Sequence, residues 1–222
     1  MFDYPENSNS FKITLPQGKN HEVSEAAFEY LENKYGEKFE YAAPWGDSMS
    51  NTKEILVTCE SFPGQLIIVQ VEDYQKSGEQ FRDNYLAVKY QQQSTDFFNE
   101  CAEKVFGEAN AFFTPIKDGL SPNLPADATF EEFLADKRVK LVIYIEVKES
   151  TFEGESQAEE LSRLIGNYGS HYLLEIILVN EENYGSYDDV TALKDVLRNK
   201  KYIRCLAVDN SSGTVKMARF GE

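Results

Sequence analysis

The sequence predicts an α+β protein with mixed or antiparallel sheets, packed helices and two lobes. Three observations predict it. Helix and strand patterns alternate only in part, two pairs of apolar strands are joined by turn signals that demand antiparallel pairing, and a Pro-rich polar stretch separates two patterned halves. The 222 residues, 41% hydrophobic and 13% aromatic, can bury roughly 70% of the surface that the unfolded chain exposes, enough for one large core or two modest ones.

In chain order, Phe11–Leu15 reads as a short strand. A helix follows in which Ala27, Phe28, Leu31 and Tyr35 recur at helical spacing, and Gly36 stops it. Ile55–Cys59 and Leu66–Val71 read as a hairpin turned through Ser61-Phe-Pro-Gly64. After the polar loop Gln75–Gln80, Asp83–Phe106 places Leu86, Tyr90, Phe97, Cys101 and Val105 on one face. That predicts one helix of about 35 Å, stopped by Gly107. Ala111–Ile116 adds a strand.

Lys117–Thr129, rich in Pro and small polar residues, is the expected linker, so the lobes are set at 1–118 and 119–222. Beyond it, Thr129-Phe-Glu-Glu132, Ser156-Gln-Ala-Glu159 and the acidic variant Ser186-Tyr-Asp-Asp189 are capping-box starts for three helices. Val139–Val147 and Tyr172–Val179 are strands, and Tyr202–Val208 with Thr214–Phe220 flank Asn210-Ser-Ser-Gly213 as a terminal hairpin. Glu29–Lys34 resembles Glu132–Lys137, but six positions are too few to establish a duplication.

Charge bounds the partners. Acidic residues outnumber basic ones by 38 to 22, and a net charge of −16 repels phosphate backbones and anionic membranes, so no nucleic-acid partner is expected. The basic group Arg198, Lys200, Lys201 and Arg204 sits at a predicted helix end, where cations complement the helix dipole. The longest purely apolar run, Leu141–Ile145, falls far short of the roughly 20 residues a bilayer needs. Met1–Asn7 has neither the basic start nor the apolar core of a secretory leader, so the chain is expected to be cytoplasmic or to have lost a leader.

Cys59, Cys101 and Cys205 lie in apolar patterns without C-x-x-C spacing and are expected as buried free thiols. His21 and His171 belong to no ligand pattern, so no metal is expected. No glycine loop for phosphates follows a strand, and no cofactor is implied.

Four segments, "EYLENKYGEKFEY", "APWGDSM", "FRDNYLAVKY" and "PADATFEEFLADKRVKLVIYIEV", together resemble a group of uncharacterised proteins from Gram-positive, mostly gut-dwelling bacteria. Many of that group carry a lipoprotein leader. The resemblance implies a place outside the cytoplasmic membrane and carries over no catalytic residue.

Gly46-Asp47-Ser48-Met49 is similar to the nucleophile block of Gly-Asp-Ser esterases. That chemistry needs a serine at the end of a buried strand and a late Asp-x-x-His to take its proton. Here His171 follows Asn167-Tyr168-Gly169-Ser170, and Pro44 and Trp45 interrupt the preceding strand, so a side-chain-stabilised turn is the better account. The tetrapeptide also resembles the Ser-Met of signal peptidases, without the membrane anchor or an identifiable lysine base. Glu146-Val147-Lys148 resembles the metal-binding core of a nuclease superfamily, but the alternation also reads as a half-buried strand with a solvated outer face, and the net negative charge favours that reading. Asn180–Asp189 concentrates oxygen ligands around Gly185, but Thr191 stands where an EF-hand needs a bidentate glutamate, so a solvated acidic loop is preferred.

The remaining candidates are ligand-binding. Trp45, expected in a loop beside Asp47, has the amphipathic surface that contacts peptides or sugars, although folding over the core edge is the commoner place for a loop tryptophan, and Arg82 could pair with a ligand carboxylate or with one of many nearby acids. The expected function is a non-enzymatic binding or interaction module of the cell envelope, with a protein, peptide or sugar as ligand. A serine hydrolase using Ser48 is the alternative.

Overall fold

The computed structural model describes residues 19–47, 53–72, 80–113, 120, 124–166, 168, 171–187, 192–195, 199, 204–209 and 216–220. They form an α+β fold with two sheets. The chain divides into two units, Met1–Phe81 and Arg82–Glu222.

In the first unit the predicted helix is α1, Lys19–Tyr35. Ser24, Ala27 and Leu31 are its buried stripe, and Gly36, at φ 71°, closes it by donating its N–H to Glu32 O at 2.9 Å. The sheet runs in the order β1 (Phe39–Asp47), β2 (Lys53–Cys59), β3 (Ile67–Glu72) and β4 (Gln80–Asp83), with antiparallel pairing of β1 to β2 and of β2 to β3. Ile55, Val57 and Cys59 alternate with partly exposed neighbours, as do Ile67, Val69 and Val71, so one face of the expected hairpin is core.

β1 corrects the sequence reading, which puts Trp45 in a loop. The register jumps from Ala43↔Leu56 to Gly46↔Glu54, leaving Pro44 and Trp45 opposite a single partner residue. This is a bulge in an edge strand, where a proline costs no ladder hydrogen bond.

The second unit opens with a further correction. Instead of one long helix there are two, α2 (Tyr85–Lys89) and α3 (Gln91–Phe106), separated at Tyr90 with φ −100° and ψ 13°. The buried Tyr90 ring packs 5.7 Å from both Phe130 and Phe133, and its hydroxyl donates to the Ala128 carbonyl. These tertiary contacts set the backbone there against local helix propensity. Asp83 closes β4 rather than starting the helix, and its carboxylate accepts the Tyr85 N–H at 3.0 Å.

The sheet order is β5 (Ala109–Phe113), β6 (Lys140–Lys148), β7 (His171–Val179), β8 (Arg204–Asp209) and β9 (Lys216–Phe220). β6 and β7 are parallel and the other neighbouring pairs antiparallel, so the sheet is mixed. α4 (Phe130–Ala135) carries the predicted Thr129–Glu132 capping box with both hydrogen bonds formed. α5 (Glu155–Gly166) starts ahead of its predicted cap and leaves Ser156 inside the first turn. β5, before the expected linker, and β6, after it, are neighbours in one sheet, so the units divide at Phe81–Arg82 rather than within Lys117–Thr129.

Residues 141–147 of β6 are all buried, which overturns the expectation of a solvated outer face. One face carries Leu141, Ile143, Ile145 and Val147. The other carries Val142 and Tyr144, which pack with Ile177, Val179, Leu193 and Cys205 under Tyr184 and Tyr187. The strand Phe11–Leu15, Ser48, the loop 75–79, residues 117–119 and 121–123 of the expected linker, Arg198, Lys200, Lys201, Asp188–Asp189, Thr191 and the turn Asn210–Gly213 lie outside the described residues.

Candidate functional site

A groove of about 630 Å3 in the first unit is lined by residues of β1, β2 and the turns beside them. The antiparallel register Phe39↔Cys59 and Glu40↔Thr58 brings the start of β1 against the end of β2. Gly36 and Glu37 arrive from the stop of α1, and Glu60 from the turn after β2. The lining is ionisable: it includes Glu37, Glu40, Glu60 and one lysine, Lys38, together with Thr58 and Cys59.

Its fixed part is Glu37. The carboxylate accepts the Ser61 N–H at 3.3 Å and receives the Cys59 thiol. Burial pushes the Cys59 thiol up; backbone hydrogen bonding at Phe62 pulls the other way, and the Glu37 charge adds to the rise. A thiol held up in this way is a poor nucleophile at neutral pH. Glu40 and Glu60 are exposed.

The candidates named from sequence do not assemble with this groove. Trp45 and Asp47 belong to the other end of β1, where Asp47 pairs in register with Lys53, and their side chains lie outside the described residues. Arg82 is in β4, at the start of the second unit. The groove residues were not legible as a site because 36–40 and 58–60 become neighbours only through strand pairing. The available signal was the charge-rich Glu37-Lys38-Phe39-Glu40 directly after a helix-stopping glycine.

Glu146 and Lys148 are occupied structurally. The wholly buried Glu146 carboxylate accepts Asn110 Nδ2 at 2.8 Å and the Gly185 N–H at 3.2 Å to each oxygen. Burial raises its pKa, and the hydrogen bonds from Asn110 and Gly185 oppose the rise. Lys148 pairs with Glu108 and, at 3.5 Å, with Glu181, and lies 4.8 Å from the Tyr184 ring centroid. The Asn180 side chain accepts the Asn183 N–H at 3.0 Å, so a side chain stabilises this loop locally. Among the described residues, no three His, Cys, Asp or Glu side chains are grouped to hold a metal, and no helix is long and apolar enough to cross a membrane.

No protein family and no curated protein matches the chain. Among solved structures, the crystal structure of a DUF5037 family protein from Ruminococcus gnavus ATCC 29149 is similar at a TM-score of 0.37 and 11% sequence identity, over 84% of this chain and 90% of that one. A likeness at that level carries no inference about activity, ligand or partner.

Proposed function

We propose that the protein is a binding module of the cell envelope, and that the groove formed where the turn after α1 meets the β1–β2 ladder is its recognition surface. The observation that carries the reading is the concavity itself. Its volume of about 630 Å3 is that of a small-ligand or peptide-side-chain site, and strands and a helix stop hold its walls. The lining is polar, with three carboxylates against one lysine. It suits a peptide or sugar that presents an ammonium or several hydroxyls better than an apolar cofactor. Binding without chemistry fits the one thiol in the wall, because burial raises the Cys59 pKa and disfavours the thiolate. The envelope location rests on the sequence resemblance given above.

The test is a peptide and glycan array read with the wild type and with the double variant Glu40→Lys, Glu60→Lys. Both positions are exposed, so the variant is expected to fold. Hits enriched in basic peptides or amino sugars, lost in the variant, are the expected result. Identical hit lists from the two proteins would refute the groove assignment.

A further inference from the structure

One face of the second sheet carries a row of side chains set by register. Tyr144 on β6 pairs with Phe112 on β5 and with Glu175 on β7, and Glu175 pairs in turn with Ala207 on β8. Residues in register project from the same face. The short helical segment 192–195 lies on this face, its wholly buried Leu193 packed with Val142, Tyr144, Ile177, Val179 and Cys205. That anchor places the next residue. Lys194 is half-buried, with its Nζ 5.3 Å from the centre of the Tyr144 ring. Glu175, also half-buried, stands beside Tyr144 and interacts electrostatically with the same amine.

Other lysines are held differently. Lys148 is paired with Glu108 and Glu181, and the exposed Lys89 donates to the Ala126 carbonyl at 3.4 Å. The described partners of the Lys194 amine are instead a ring face and a charge. Burial lowers the pKa of this amine, and Glu175 opposes the fall. Burial raises the pKa of the Glu175 carboxyl, and Lys194 opposes the rise. Both shifts favour the uncharged forms, a free amine beside a protonated acid. The amine is then a nucleophile and the acid a proton donor, the two groups that imine formation needs. Access comes from the concavity at the start of β6 and β7. It is lined by Val142 and Leu173, which lie two residues before Tyr144 and Glu175 on the same face.

We infer that Lys194 is a reversible covalent binding site for small aldehydes, with Glu175 as the group that moves the protons. The free amine attacks the carbonyl carbon, a C–N bond forms, and the carbonyl π pair moves to oxygen, which takes the Glu175 proton. The Glu175 carboxylate then removes one proton from nitrogen, leaving a neutral carbinolamine. Returning that proton to the hydroxyl breaks the C–O bond with loss of water, while the nitrogen lone pair forms the C=N bond. The product is a protonated imine beside the Glu175 carboxylate, so net charge is conserved. A cation at this nitrogen keeps the Tyr144 ring as its neighbour. Neither Lys194 nor Glu175 belongs to the groove of the first unit, so this inference is independent of that one.

Reductive trapping on the full chain tests it. The protein is exposed to propanal with sodium cyanoborohydride, which reduces an imine to a stable secondary amine, and the rate at each lysine is read by peptide mass spectrometry. Lys194 should be labelled on the order of 100-fold faster than Lys89 or Lys148, as positioned proton transfer allows. Glu175→Gln should slow labelling at Lys194 by a similar factor and leave Lys89 unchanged. The sign separates two roles: were Glu175 only a counter-charge, its loss would leave more free amine at Lys194 and speed the labelling. Labelling at Lys194 no faster than at Lys89, or an unchanged or faster rate in Glu175→Gln, would each overturn the assignment. Should the variant lose its fold, the comparison among lysines of the wild type still decides.

Discussion

Glu146 shows how one side chain can look catalytic in sequence and be structural in the fold. Its carboxylate ties β5, through Asn110, and the 180–187 loop, through Gly185, to the centre of the sheet. Replacing it with leucine leaves two donors without acceptors, which should cost about 2–3 kcal/mol in chemical denaturation. Glu146→Gln keeps an acceptor and should cost about 1 kcal/mol or less. The two variants also separate hydrogen bonding from charge. Because burial raises the folded-state pKa above the ordinary carboxylate value, the folded protein holds this proton more tightly than the unfolded chain. The corresponding stability is fully present below the unfolded pKa and is lost as pH rises through the folded one. The stability of the wild type relative to Glu146→Gln should therefore fall from acid to neutral pH; a rise would contradict the assignment. The cysteines behave as the sequence predicts, buried and free. Burial, with Glu175 adding to it, pushes the Cys205 thiol up to about 12. Its alkylation at pH 8 should be slow in the folded protein and fast in denaturant.

At the scale of elements, α4 offers the sharpest test, since its start follows from sequence chemistry alone. Thr129→Ala removes the hydrogen bond to the Glu132 N–H and should cost about 1 kcal/mol, measured as a shift in the denaturation midpoint at constant slope. A cost near zero would mean that packing of Phe133 and Leu134, both buried, holds the helix without its cap. Legibility followed the same physics. The β2–β3 hairpin, β6, β7 and the pairing of β8 with β9 were readable because apolar runs and turn residues are local signals. β1 was not, because Pro44 and Gly46 read as breakers unless the strand is known to be an edge with a bulge. The break at Tyr90 was hidden for the opposite reason: the apolar spacing continues through it, and the cause lies in α4, some forty residues on.

For the whole molecule, composition was informative about class and silent about site. Partial alternation of helices and strands and the two hairpins predict α+β, and that is the fold found. The groove arises where segments apart in sequence are brought into register, at Glu40↔Thr58. No local pattern marks such places. The net charge of −16 adds a general attraction for cations, so affinity at the groove should weaken with added salt while its specificity persists. Titration calorimetry of the strongest array ligand into the wild type and into Glu40→Lys, Glu60→Lys tests the central claim most directly, because one trace reports both binding and turnover. The account predicts heat that saturates at one ligand per chain, ends there, and is lost in the variant. Heat that continues after saturation, or an unchanged isotherm in the variant, would contradict it.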